Sequence, residues 1–186
     1  YLENFVQSVF EATGGMVGKS LTLGGDGRFY NREACQIILK MAAANGAAKV
    51  YVGQNGLLST PAASAVIREL KTDGGMILSA SHNPGGLDGD FGIKYNVPAG
   101  GPAPESITGA IHALSEKIVT YKIIEADDID LTEIGTQMLG DMVVEVIDPV
   151  AIYEDLMAAL FDFEAIRALF DSGFSMCFDA MNAITG

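Results

Sequence analysis

Gly75-Met76-Ile77-Leu78-Ser79-Ala80-Ser81-His82-Asn83-Pro84-Gly85-Gly86 carries a short apolar run straight into a turn. The run 75–78 has no polar break and reads as a strand buried on both faces. Asn83-Pro84-Gly85-Gly86 then stops any strand or helix. Ser81 and His82 are thereby delivered to a strand's C-terminal end, on a loop rich in backbone N–H groups. In open α/β sheets that edge is where ligands gather.

Working outward, the segments alternate in period. Residues 1–13 place Leu2, Phe5, Val6, Val9 and Phe10 on one helical stripe that ends at Gly14-Gly15. A strand is expected at 20–23, followed by Gly24-Gly25-Asp26-Gly27-Arg28. Asn31 can cap a helix reaching Asn45, with Ala34, Ile37, Ile38 and Met41 inward and Gly46 at its end. A strand at 49–52 precedes a helix capped by Thr60, with Pro61 in its first turn and Ala65, Val66 and Leu70 facing the core. Strand, helix, strand, helix, strand at this spacing predicts an α/β fold: a mixed, mainly parallel sheet sandwiched between helices. A further strand at 91–95, one tight loop after 75–78, is expected to be antiparallel. A helix opens at Pro104-Glu105, a strand follows at 142–147, and helices follow at 149–160 and 163–170. The acidic connection 125–141 shows no clear period. Residues 1–173 read as one domain, and 174–186, opening on a strand at 174–179, as the start of another.

Composition narrows the partners. Of 186 residues, 49% are apolar and 19% charged, as in a globular chain. No run approaches the roughly 18 apolar residues of a membrane span, and 1–4 lack the basic start of a secretory signal. Residues 1–100 hold eight basic and eight acidic side chains, whereas 101–186 hold three and sixteen, so the second half carries the whole net charge of −13. Such a surface argues against nucleic acid or an anionic membrane as partner. Asp127-Asp128-Ile129-Asp130 reads as a solvated face. Cys35 and Cys177, the two cysteines, read as reduced and mostly buried thiols, which points to the cytoplasm.

Taken alone, Ser81-His82 leaves three readings open. A serine hydrolase fits poorly, because neighbours on an extended chain point opposite ways and no Gly-x-Ser-x-Gly elbow is present. A phosphate loop fits Asn83, Gly85 and Gly86, whose N–H groups could face an anion. A polar turn without chemistry is the third. Arg28, at the same sheet edge, can grip a phosphate or brace the glycine-rich turn through Asp26.

Residues 79–86, with Gly89-Asp90-Phe91-Gly92-Ile93-Lys94-Tyr95-Asn96, resemble the phosphoserine loop of the phosphoglucomutases of the phosphohexomutase superfamily. Gly24-Gly25-Asp26-Gly27-Arg28-Phe29 agrees in order and spacing. So do Gly53-Gln54-Asn55-Gly56-Leu57-Leu58-Ser59-Thr60-Pro61-Ala62, Gly100-Gly101-Pro102-Ala103-Pro104-Glu105 and Asp179-Ala180-Met181. The resemblance implies the first domain of a four-domain enzyme that interconverts glucose 1-phosphate and glucose 6-phosphate. It implies that Ser81 is a phosphoserine, handing its phosphate to the sugar so that glucose 1,6-bisphosphate turns over in the site. It further implies that His82 and Lys94 move protons and steady the transferred group, and that Ser81, His82, Asn83, Lys94 and Arg28 contact a hexose phosphate. Mg²⁺ would bind an oxygen of the Ser81 phosphate, its remaining ligands lying in the second domain.

Ser79 stands where such enzymes often have Thr, and Asn182 where they have His. The family's N-terminal active-site segment would precede Tyr1, so the chain reads as cut at both ends and inactive alone. A mutase for another hexose phosphate, and a non-catalytic phosphoprotein relative, remain as alternatives.

Overall fold

The computed structural model describes residues 1–180. A six-stranded sheet forms the middle layer, in the order β4-β3-β1-β2-β6-β5. The four inner strands β3 (Gly75–Leu78), β1 (Ser20–Gly25), β2 (Lys49–Leu57) and β6 (Met142–Ile147) are parallel. The edges β4 (Ile93–Asn96) and β5 (Gly135–Leu139) are antiparallel to β3 and β6. The mixed, mainly parallel sheet between helices is the expected architecture.

The pleat divides the core in two. Met76 and Leu78 join Val6, Val9 and Phe10 of α1 (Leu2–Ala12), Ile38 of α2 (Asn31–Ala44) and Ile111 of α4 (Glu105–Ser115) in one apolar cluster. Ile77, between them, points to the opposite face and packs with Ala62, Ala63 and Val66 of α3 (Thr60–Glu69). Ile152 and Tyr153 of α5 (Ala151–Leu160) cover that second cluster. Alternate side chains therefore face alternate helix layers, as a period of two demands. The chain steps from β1 out to β2 through α2, then back past β1 to β3 through α3. Right-handed crossovers that reverse direction must switch faces, and the helices do. The loops leaving β1 and β3 lie side by side at the carboxyl edge, where Asp26 N–H bonds Leu78 O at 3.0 Å.

Local choices depart from expectation at several points. Asn31 does not cap α2: its Nδ2 donates to the Gly56 carbonyl at 3.0 Å, and Tyr30 (φ 73°) takes the capping position. A Cβ on Gly25 would overlap Asn31 Oδ1 and the Leu78 carbonyl, which is why only glycine ends β1. Helix α3 is capped by Ser59, not Thr60, through Ala62 N–H to Ser59 Oγ at 3.3 Å. Within 125–141, β5 forms, and Gln36 holds the stretch before it by bonding both the N–H (3.0 Å) and the carbonyl (2.8 Å) of Ile129. Asp127, Asp128 and Asp130 face solvent, and Lys40 meets Asp128 at 2.6 Å.

Helix α6 (Phe163–Asp171) follows α5, with Phe170 edge-on to Phe174. The six-stranded sheet of the described residues does not include 174–179, where a strand is expected. Cys177 is exposed rather than buried, while Cys35 lies fully inside. Met181 and Asn182 lie outside the described residues. Among the described residues no helix is long and apolar enough to cross a membrane.

Candidate functional site

The loop from Ser79 to Gly92 joins β3 to β4 across the carboxyl edge of the sheet. Its ends are tied by Ser79 N–H to the Gly92 carbonyl, 2.8 Å. Gly92 has no room for a side chain, since a Cβ there would lie 2.5 Å from Ser79 O. Inside the loop, Asn83 N–H bonds Ala80 O at 3.1 Å and Asp90 N–H bonds Pro84 O at 2.8 Å. The loop is closed on itself, yet residues 81–90 are all exposed.

Ser81 sits at the first bend with φ 56°, in the left-handed region. Its hydroxyl accepts a hydrogen bond from Lys94 Nζ at 3.0 Å. Lys94 is half-buried on β4, directly opposite Ile77 of β3, so antiparallel pairing fixes where its ammonium reaches. His82 and Asn83 occupy the same turn but face outward, and their side chains make no hydrogen bond to any described residue.

Arg28 reaches the site from the loop after β1. Its Nε donates to both oxygens of Asp26 at 3.0 Å, and Nη2 to Asp26 Oδ2 at 2.8 Å. Nη2 also donates to Ser81 O at 3.1 Å, and Nη1 to Asp90 O at 2.6 Å. The Arg28 side chain is only 8% exposed. Burial alone would raise the Asp26 pKa. The hydrogen bonds from Arg28, with help from the Ser79 side chain, outweigh burial and hold Asp26 below the usual carboxylate range. Asp26 in turn pushes the Arg28 guanidinium above its ordinary value.

The structure thus brings Ser81, Lys94 and Arg28 together and leaves His82 and Asn83 free to meet a ligand. Reading the sequence missed Ser79, which is 6% exposed and accepts Ser81 N–H on its Oγ at 3.1 Å. A signal existed: a second hydroxyl two residues before Ser81, at the buried end of a strand. Among the described residues no group of three or more His, Cys, Asp or Glu could hold a metal ion. The side chains of the described residues therefore form no metal cage of their own.

An exposed serine hydroxyl under a lysine ammonium, at the carboxyl edge of an α/β/α sheet, is the site that the described residues define. Residues 1–122 match the family model for phosphoglucomutase/phosphomannomutase, alpha/beta/alpha domain I, and the chain belongs to that family. The phosphoglucomutase of Rhizobium radiobacter is 59% identical over 186 residues, covering 100% of this chain and 34% of that protein. The chloroplastic phosphoglucomutase of Brassica napus is 51% identical over 189 residues, covering 100% of this chain and 30% of that protein. The open form of pp63/parafusin, an exocytosis-sensitive phosphoprotein and phosphoglucomutase from Paramecium, superposes with a TM-score of 0.93 at 43% identity. That match covers 100% of this chain and 36% of the Paramecium chain. The chain spans about a third of the length of the relatives it matches.

Proposed function

We propose that this chain is the phosphate-carrying domain of a phosphoglucomutase interconverting glucose 1-phosphate and glucose 6-phosphate. The observation that carries the reading is the Lys94 Nζ to Ser81 Oγ bond of 3.0 Å on an exposed loop. A structural lysine would have no reason to end on a solvent-facing serine held in left-handed backbone.

In the reaction, O6 of glucose 1-phosphate attacks the phosphorus of phosphorylated Ser81. The P–Oγ bond breaks, its electron pair stays on Oγ, and Lys94 neutralises that oxygen by giving it a proton. His82, exposed on the same turn, takes the O6 proton. The product is glucose 1,6-bisphosphate. In reverse orientation, Ser81 Oγ returns its proton to Lys94 and attacks the C1 phosphorus, the P–O1 bond breaks with its electron pair on O1, O1 takes the proton held by His82, and glucose 6-phosphate leaves. Positioning and charge do most of the work in such transfers. Asn83 is assigned to the sugar phosphate beside His82. Mg²⁺ belongs to the full enzyme on this reading, and this chain would offer it one oxygen of the Ser81 phosphate. We place residues 1–173 in one domain and 174–186 at the start of the next. Two free thiols fit a reducing compartment such as the cytoplasm.

The test uses a polypeptide of the relatives' full length carrying this sequence. Radiolabelled glucose 1,6-bisphosphate should label Ser81, and added glucose 1-phosphate should chase the label into glucose 6-phosphate. Ser81→Ala should abolish turnover, and Lys94→Met should cut kcat by about 10²-fold or more, the usual worth of a positioned proton donor. Turnover surviving in Ser81→Ala would sink the proposal. A label that enters Ser81 and never leaves would replace it with a phosphoprotein reading.

A further inference from the structure

We infer that Asp26, Arg28 and Ser79 form one positioning unit that grips Ser81 by its amide and its carbonyl and aims its hydroxyl at Lys94. Arg28 is then a positioning residue, not a substrate contact. The inference deepens the proposed function and rests on it for its catalytic meaning, though not for its geometry.

The guanidinium has little left to offer a ligand. Nε and one Nη2 hydrogen are spent on Asp26, the other Nη2 hydrogen on Ser81 O, and one Nη1 hydrogen on Asp90 O. Planar forks of this kind are specific because their donors cannot be re-aimed singly. A sugar phosphate would have to displace a half-buried carboxylate partner, Asp26, whose side chain is 20% exposed. Arg28 also bonds both ends of the exposed stretch, at Ser81 and at Asp90, and so closes it like a clasp.

Ser79 supplies the other grip. Its hydroxyl accepts the Ser81 N–H at 3.1 Å and sits beside the Asp26 carboxylate. The Asp26 backbone N–H is itself tied to Leu78 O at 3.0 Å, the last residue of β3. The Arg28 grip therefore starts from a carboxylate whose backbone is anchored to β3, and the Ser79 grip from the residue that directly follows β3. They are what a φ of 56° requires. A residue with a Cβ pays about 1–2 kcal/mol to stand there, and persists only where its surroundings over-determine it. Lys94 is placed independently, by strand pairing with Ile77. If Ser81 relaxed to an extended conformation, its Oγ would leave a lysine that cannot follow.

The experiment is solution NMR on the isotope-labelled 186-residue chain. Ser81 Cα and Cβ shifts and its HN–Hα coupling report φ, and a nuclear Overhauser contact to Lys94 Hε reports the hydroxyl's aim. In Arg28→Met and in Ser79→Ala, Ser81 should shift from left-handed to extended values and lose the Lys94 contact. Amides of Leu21, Leu23 and Val50 should hold their positions. Ser79→Thr, which keeps the hydroxyl, should restore the wild-type Ser81 signals, whereas Arg28→Lys should not. Titration of the wild-type chain with inorganic phosphate should move Lys94 signals and leave Arg28 Nε unmoved. Unchanged Ser81 signals in folded Arg28→Met and Ser79→Ala overturn the inference, as does an Arg28 Nε that responds to phosphate. Should Arg28→Met fail to fold, Ser79→Ala with its Thr rescue decides alone. None of these readouts needs catalysis, so failure of the proposed mutase activity would leave them standing.

Discussion

Replacing Ser81 by Gly should leave a more stable chain than replacing it by Ala. At an ordinary position the order is reversed, because Gly enlarges the unfolded ensemble and loses about 0.4–1 kcal/mol to Ala. Ser81 is not ordinary, since its φ is 56°. Holding any residue with a Cβ in the left-handed region costs about 1–2 kcal/mol, and Gly avoids that cost. Both variants lose the hydroxyl and its bond from Lys94, so that loss cancels between them. The side chain is exposed, so neither leaves a cavity. The difference left is about 0.5–1 kcal/mol in favour of Gly, the strain less the entropy. For a chain of this size it amounts to roughly 1–4 °C in melting temperature. Urea and thermal unfolding of the two variants, followed by circular dichroism under identical conditions, give the comparison. An Ala variant as stable as the Gly variant would refute the reasoning, because Ser81 would then not stand in left-handed backbone in solution.

Two further outcomes follow from the same environment and from the cysteines. Asp26 has a folded-state pKa below its unfolded value of 3.8, so its stabilisation is present above that value and is lost as pH falls through the folded one. Asp26→Asn should therefore cost about 2 kcal/mol at pH 7, typical of a charge-assisted hydrogen bond. The gap to wild type should shrink in urea titrations run at progressively lower pH, and a gap independent of pH would contradict the role of the Asp26 charge. Thiol reagents should label the native chain at Cys177, which is exposed, and spare Cys35, whose burial pushes its pKa up to about 12. Both should react in denaturant, and rapid native labelling of Cys35 would contradict the packing around α2.

Much of the fold was legible because β3 is an unbroken apolar run, the other inner strands carry short β-branched and apolar stretches, and the helices carry apolar stripes. Both β3 and β6 begin and end where the sequence reading puts them. Edge strand β5 was not legible, since Gly135, Thr136, Gln137 and Met138 lie at or near the surface and the strand exists through pairing with β6. The capping choices at Asn31 and Thr60 failed for a related reason. A carbonyl from β2 outbids the α2 terminus for the Asn31 amide, and two adjacent hydroxyls, Ser59 and Thr60, compete for one cap. In the site, Ser81 and its turn announced themselves through Asn83-Pro84-Gly85-Gly86. The Lys94 contact spans 13 positions and follows from the β3–β4 register, which no local pattern states. The Arg28 contact spans 53 positions and needs β1 and β3 to be neighbours, a fact of topology alone.

On the proposed function, the charge around Ser81 would let that residue store a phosphate rather than lose it. A serine phosphate brings a charge of about −1.5 to −2 near neutral pH. Arg28 cannot answer it, because Asp26 already cancels its charge at 2.8 Å. Lys94 answers with one positive charge at 3.0 Å from the hydroxyl, and His82 adds another only when protonated. The acidic residues of 101–186 weaken the local field wherever they come within a Debye length of about 8 Å. A phosphate on Ser81 is thus left short of full compensation by this chain's own residues. Transfer needs that shortfall removed at the moment the P–Oγ bond breaks, since charge stabilisation carries most of the barrier reduction. On the proposed function, removing it from outside would keep the phosphate inert until substrate and further cations arrive together. A site in which Arg28 pointed its charge at the phosphate instead of at Asp26 would give up that control.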